Sequence, residues 1–162
     1  MRRLILLLFI VSTSLYAQRI VKIPNSTLII VKTTEEYTGE KMQTGQEAYA
    51  VVAMDVVIEG DTVINSGAPV FMQTDDASSS GMVGSGGELT LSLRNTTAVD
   101  GTNVQLSGTF KSKGESSTGT KVGLGVILCP LFLLGKGDEA VIPAGAQTRA
   151  FTIGEYPIKL KN

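Results

Sequence analysis

Histidine and tryptophan are absent from this 162-residue chain, and cysteine occurs once, at Cys129. Without histidine there is no Ser-His or Cys-His nucleophile pair and no imidazole metal ligand, and the side chain most easily poised for proton transfer near neutral pH is missing. A single cysteine excludes an intramolecular disulfide in any redox compartment. Cys129 also lies in an uncharged run, where burial disfavours the thiolate and leaves it unreactive. An apolar stripe of helical period is almost missing along the chain. Glycine, by contrast, is plentiful at 18 residues, and threonine, valine and serine are frequent. That composition favours strands and turns over helices.

The first residues have a targeting pattern. Arg2 and Arg3 precede the apolar run Leu4–Val11, and a short polar stretch ends at the small residue Ala17. This predicts a cleavable signal peptide over 1–17 and a single β-rich domain over 18–162. The apolar run rises only about 12 Å as a helix against roughly 30 Å of hydrocarbon, too little for a spanning anchor. No cysteine follows it to accept a lipid. The expected location is therefore exported: periplasmic, outer-membrane-associated or extracellular. Loss of Arg2 and Arg3 from the 14 basic residues leaves 12 against 15 acidic, a net charge of −3 with no basic patch. Nucleic acid is not an expected partner.

Strand signals recur along the chain. Thr27–Thr33 reads as a first strand, and Ala48–Ile58 as a long central strand interrupted by Asp55. Thr34–Glu47 reads as a polar loop. Glu88–Arg94 alternates strictly, with Leu89, Leu91 and Leu93 on one face. Asp100-Gly101 marks a tight turn before the returning strand Val104–Phe110. Two polar Gly/Ser/Thr stretches, 74–87 and 111–121, are expected loops. A short echo links Gly60–Ala68 with Gly137–Ala146: a Gly-Asp turn, a Val-Ile strand, then a glycine suited to positive φ.

Val122–Leu134 is 13 residues without a charge, flanked by Lys121 and Lys136 and broken by Pro130. It is too short to span a membrane as a helix. Either it fills the domain's own core or it is a contact element for an oligomer, a partner or a membrane surface. On the second reading the contact residues are Leu124, Val126, Ile127, Leu128, Leu131, Phe132, Leu133 and Leu134.

Other candidates for chemistry are weak. Asp75-Asp76 with Ser78-Ser79-Ser80, Glu35-Glu36 and Asp138-Glu139 are solvated pairs, and none has the spacing of a calcium loop. The glycines of 81–87 lack the lysine and helix of a phosphate loop. No catalytic residue, metal site or cofactor is expected.

The order of certain pieces resembles a family. Asp55–Ile64 leads to Ser66-Gly67-Ala68; Gly86–Leu89, Val99-Asp100-Gly101 and Val104–Gly108 follow, then Gly135–Gly145 with its Ile142-Pro143-Ala144-Gly145. Over roughly Ile23–Ile153 this resembles a widespread β-rich domain of exported bacterial envelope proteins, often found near PEGA-type modules. The Ile-Pro strand starts are also loosely similar to the barrel domains of type IV secretion outer-membrane rings. The resemblance implies envelope location and architecture and brings no catalytic residue. The expectation is an all-β domain, a small antiparallel sandwich or partly open barrel of about 7–9 strands. Its expected role is non-enzymatic and structural, scaffolding or interactive, with envelope proteins, self-association or peripheral membrane contact as partners. The alternative is a small-molecule or glycan-binding β-domain gated by 74–87 and 111–121.

Overall fold

Alternation of apolar and polar residues becomes alternation of burial in the computed structural model, which describes residues 19–79, 86–114 and 139–160. Among these residues there is no helix. The strands are β1 (Arg19–Ile23), β2 (Leu28–Thr33), β3 (Tyr37–Thr38), β4 (Glu47–Val52), β5 (Val56–Ile58), β6 (Asp61–Ile64) and β7 (Pro69–Ser78). After them come β8 (Glu88–Thr97), β9 (Asn103–Ser107), β10 (Thr109–Lys113), β11 (Val141–Ile142), β12 (Gln147–Thr152) and β13 (Tyr156–Leu160). One sheet runs β10-β8-β7-β4-β2-β12-β9, and a further β8–β9 pairing closes it. Because β9 and β10 are consecutive, separated only by Gly108, the result is a closed six-strand antiparallel barrel. This agrees with the expected small all-β barrel or sandwich, with the barrel closed rather than partly open.

The barrel is built from one repeated unit of eleven residues. Four copies are plain: Ile23–Thr33, Met42–Val52, Ile64–Thr74 and Ile142–Thr152. Each opens with a buried apolar anchor. Its fourth residue has positive φ: Ser26 (62°), Gly45 (87°), Gly67 (82°) and Gly145 (83°). A strand then leads to a buried eleventh residue: Thr33, Val52, Thr74 or Thr152. The units interlock in pairs. In the β2/β12 pair, the Ser26 and Gly145 N–H groups donate to the Thr152 and Thr33 carbonyls at 2.9 Å each. The Thr152 and Thr33 N–H groups return bonds to the Thr27 and Ala146 carbonyls at 3.1 and 3.0 Å. The β4/β7 pair repeats the set: Gly45 to Thr74 (2.7 Å), Thr74 to Gln46 (2.8 Å), Gly67 to Val52 (2.8 Å) and Val52 to Ala68 (2.9 Å).

A third, degenerate pair is β8/β10, whose described residues 86–93 and 104–114 follow the same numbering when the units are counted from 83 and 104. It keeps two of the four bonds, Leu93 N–H to Gly108 carbonyl (2.9 Å) and Gly114 N–H to Gly87 carbonyl (2.8 Å). The register is common to all three pairs, sixth residue opposite tenth: Gln147 to Lys32, Glu47 to Gln73, Thr109 to Ser92. The echo between Gly60–Ala68 and Gly137–Ala146 is thus part of a wider repeat, although Gly137-Asp138 lies outside the described residues.

In the strand part of each unit, positions seven, nine and eleven point inward. Val31, Met72, Leu91, Phe110 and the small Ala48, Ala50 and Ala150 fill the interior, large against small. Strand direction alternates, so the anchors fall at both ends. Ile23, Ile64 and Val104 lie at one end, covered by the β1/β13 ribbon and the β5/β6 hairpin. Met42 and Ile142 lie at the other, covered by the β3/β11 pair.

Several boundaries differ from expectation. The long strand Ala48–Ile58 is two, β4 and β5, because Ala53–Asp55 turns away and the Asp55 Oδ1 accepts the Ser66 N–H at 2.6 Å. The expected loop 34–47 contains β3. The expected loop 74–87 begins later, since β7 continues to Ser78 opposite Glu88. Likewise β10 continues to Lys113, where 111–121 was expected to be loop. In both cases cross-strand pairing overrides polar composition. Among the described residues there are 13 strands against the expected 7–9, the surplus being the short pieces at the barrel ends.

Candidate functional site

The chemistry-bearing residues named above are scattered on the described surface. Asp75 and Asp76 are exposed on the outer face of β7, at a register shift between Thr74 and Asp76. Asp75 bonds Ser92 Oγ through one oxygen and the Arg94 guanidinium, 3.3 Å away, through the other. Glu35 Oε1 lies 2.9 Å from the Tyr37 hydroxyl. That hydroxyl also donates to the Tyr49 carbonyl at 2.6 Å and accepts the Tyr49 N–H at 3.1 Å. Burial pushes the Tyr37 pKa up to about 12, against the opposing backbone bond to Tyr49, so Tyr37 is a structural pin of β3 onto β4. Among the described residues, no group of three His, Cys, Asp or Glu side chains could hold a metal ion. Glu139 is described, but Asp138, Cys129 and Ser80 lie outside the described residues.

Asp100 is more constrained. Its two oxygens accept the Thr102 and Lys159 N–H groups, each at 2.9 Å. Partial burial raises its pKa, but these backbone donors outweigh that and hold the carboxyl below its ordinary value. The group ties the β8–β9 turn to β13.

A shallow depression lies between β8 and β9, lined by Leu93, Arg94, Asn95, Asn103, Gln105, Leu106 and Ile153. Its lining offers amides and a guanidinium and contains no carboxylate, thiol or phenol. From Glu88 to Asn95 along β8 is roughly 23 Å at ~3.3 Å per residue, so it is remote from the flanks of both predicted gating loops.

Those flanks gather at one end of the barrel. Gly114 bonds Gly87, the Gly39 N–H donates to the Ala140 carbonyl at 2.9 Å, and Ser112 Oγ donates to the Val141 carbonyl at 2.8 Å. Ser78 Oγ accepts the Glu88 N–H at 3.0 Å. The described residues that flank 80–85 and 115–138 therefore all lie at the β3/β11 end. The eight predicted contact residues, Leu124 to Leu134, lie outside the described residues. Sequence reasoning missed a set of apolar side chains on the barrel exterior, among them Leu28, Tyr49, Phe71 and Phe151. Their signal is the outward phase of the eleven-residue unit, which becomes visible only once the units are aligned.

Comparison with known protein families and with curated proteins finds no match.

Proposed function

We propose that this chain is a non-enzymatic, exported envelope module, in which the barrel is a scaffold and Val122–Leu134 is the contact element. The supporting observation is the gathering of flanks. The ladders of the barrel close among the described residues 19–79, 86–114 and 139–160, which also supply a packed interior. In sequence the uncharged run falls between β10 and β11, and the described residues flanking 115–138 and 80–85 meet at one barrel end. Absence of histidine, and the dispersal of the described carboxylates, agree with a role in contact rather than in turnover.

The test uses the chain tagged at its C-terminus and produced with its own N-terminal segment in an export-competent bacterium. The mature product is expected in the envelope fraction, shortened by residues 1–17 on intact-mass measurement. Leu131→Asp with Phe132→Asp is expected to release it to the soluble fraction while leaving its circular dichroism spectrum unchanged. An intact chain retained in the cytoplasm would refute export. Unchanged partitioning of the double variant would refute the contact role.

A further inference from the structure

The repeat supplies an internal control for one place on the barrel's surface. In four copies of the unit the fourth residue, Ser26, Gly45, Gly67 or Gly145, turns the chain with positive φ. In the unit counted from 104 that place is Ser107, which does not have positive φ, and β9 runs on through Gly108 into β10. Its partner β8 likewise runs past its eleventh residue, Leu93, to Thr97, and pairs there with β9. The depression between β8 and β9 lies where these two departures meet. The β2/β12 and β4/β7 pairs are built without either departure, so the barrel itself does not require them.

A bulge places polar side chains along the depression. Phe71 stands opposite Asn95 and Met72 opposite Leu93, which leaves Arg94 as the extra residue of β8. Arg94 and Asn95 thus both lie on the outer side, between buried Leu93 and buried Thr96. Asn95 faces Gln105, and Thr97 faces Asn103. Both backbone groups of Gln105 turn the other way: its N–H donates to the Tyr156 hydroxyl at 3.1 Å, and its carbonyl accepts the Ile153 N–H at 2.9 Å. Asn95 and Gln105 are therefore a non-hydrogen-bonded pair, the kind whose side chains approach most closely. Among the described residues, the side-chain amides of Asn95, Asn103 and Gln105 have no hydrogen-bond partner. Each offers two donors and an acceptor. Ile153, 49% exposed, forms an apolar wall beside them.

We infer that this depression binds a neutral glycan, with the amides on sugar hydroxyls and Ile153 against the C–H face of a ring. Charge argues for a neutral ligand. The Arg94 guanidinium is matched by Asp75, 3.3 Å away, and donates to Gln73 Oε1 at 2.6 Å. Asp76 stands opposite Thr90, roughly 16 Å along β8 from Asn95 at ~3.3 Å per residue. A charged ligand would lose hydration here without gaining a free counter-charge. Hydroxyls donate and accept, as primary amides do, whereas a carboxylate or phosphate would use only the donors. A wholly apolar ligand would leave the amides unbonded. A peptide strand fits poorly, because β8 and β9 already have neighbours on both edges and leave no ladder to extend. The volume, about 400 Å³, lies at the small end of the roughly 300–1,000 Å³ of ligand sites. The inference is independent of Val122–Leu134.

The experiment is a heteronuclear NMR titration of the purified full-length product with maltohexaose, cellohexaose and chitohexaose, and with polygalacturonate as a charged counterpart. At least one of the neutral oligosaccharides is expected to shift the side-chain amide signals of Asn95, Asn103 and Gln105 at millimolar concentration, and salt should not weaken it. Asn95→Ala with Gln105→Ala should weaken binding about tenfold through the loss of two amides, with folding checked by circular dichroism. Ile153→Ser should weaken it about threefold. Thr90→Ala with Lys111→Ala alters another outward pair farther along the β8 ladder and should leave binding unchanged. No shift with any of the three neutral sugars would overturn the inference. So would tighter binding of polygalacturonate, or equal loss in the variant at Thr90 and Lys111. Loss of sugar binding with Leu131→Asp and Phe132→Asp would also overturn it, and would leave the proposed contact element standing.

Discussion

The eleventh residue of the unit shows how one position is read differently by its surroundings. Thr33 Oγ1 donates to the Pro143 carbonyl and Thr152 Oγ1 to the Pro24 carbonyl, both at 2.7 Å, closing the β2/β12 pair with side chains as well as backbone. Thr74 occupies the matching place in β4/β7, yet its hydroxyl is buried with no partner among the described residues, and its counterpart is Val52. A bonded hydroxyl contributes roughly 1 kcal/mol, and a buried unpaired one costs about 1–3 kcal/mol. Thr33→Val and Thr152→Val should each destabilise by about 1 kcal/mol, whereas Thr74→Val should stabilise by about as much. Urea denaturation followed by circular dichroism measures all three. Destabilisation by Thr74→Val equal to that of Thr33→Val would show that its hydroxyl has a partner.

Among the elements, the β8–β9 turn depends on Asp100. Asp100-Gly101 was legible as a turn because aspartate and glycine suit the required backbone, and Gly101 does have φ of 88°. The second role of Asp100, accepting the Lys159 N–H of β13, was not legible, because 59 residues separate the two. Asp100→Ala removes both acceptor bonds and should cost about 1–3 kcal/mol near neutral pH. The sign of its pH dependence follows from the lowered folded-state pKa. The stabilisation is complete above the unfolded carboxyl value of about 4 and is lost as pH falls toward the folded value. The stability gap between wild type and Asp100→Ala should therefore narrow below about pH 4, which parallel urea titrations at pH 7 and pH 3 would reveal. Strand edges were less legible than turns. The polar stretches 74–78 and 111–113 read as loop, and only pairing of Ala77 with Leu89 and of Ser112 with Leu89 makes them strand.

For the whole molecule, three interlocked pairs of one unit close a barrel, and described residues fill much of its interior. The described residues on either side of 115–138 lie near each other, as the Ser112–Val141 bond requires. Replacing those 24 residues with a six-residue Gly/Ser linker should preserve the barrel and raise its stability by about 1 kcal/mol, through two halvings of loop length. Thermal unfolding by circular dichroism tests this. Loss of cooperative unfolding would mean that Val122–Leu134 belongs to the core after all, the alternative that the sequence left open.

The amino-acid sequence by itself determined the all-β class, the placing of tight turns at Asp100-Gly101, Gly67 and Gly145, and the exclusion of histidine chemistry. These depend on local properties: side-chain alternation, tolerance of positive φ, and the presence or absence of a residue type. Only the tertiary structure decided which units interlock, that the sheet closes, and which apolar residues face outward. Ile23–Thr33 pairs with Ile142–Thr152 across more than a hundred residues, and nothing local distinguishes that partner from the other copies of the same unit. Closure of the barrel decides among them, because it pairs both edges of each barrel strand and depends on contacts far apart in sequence.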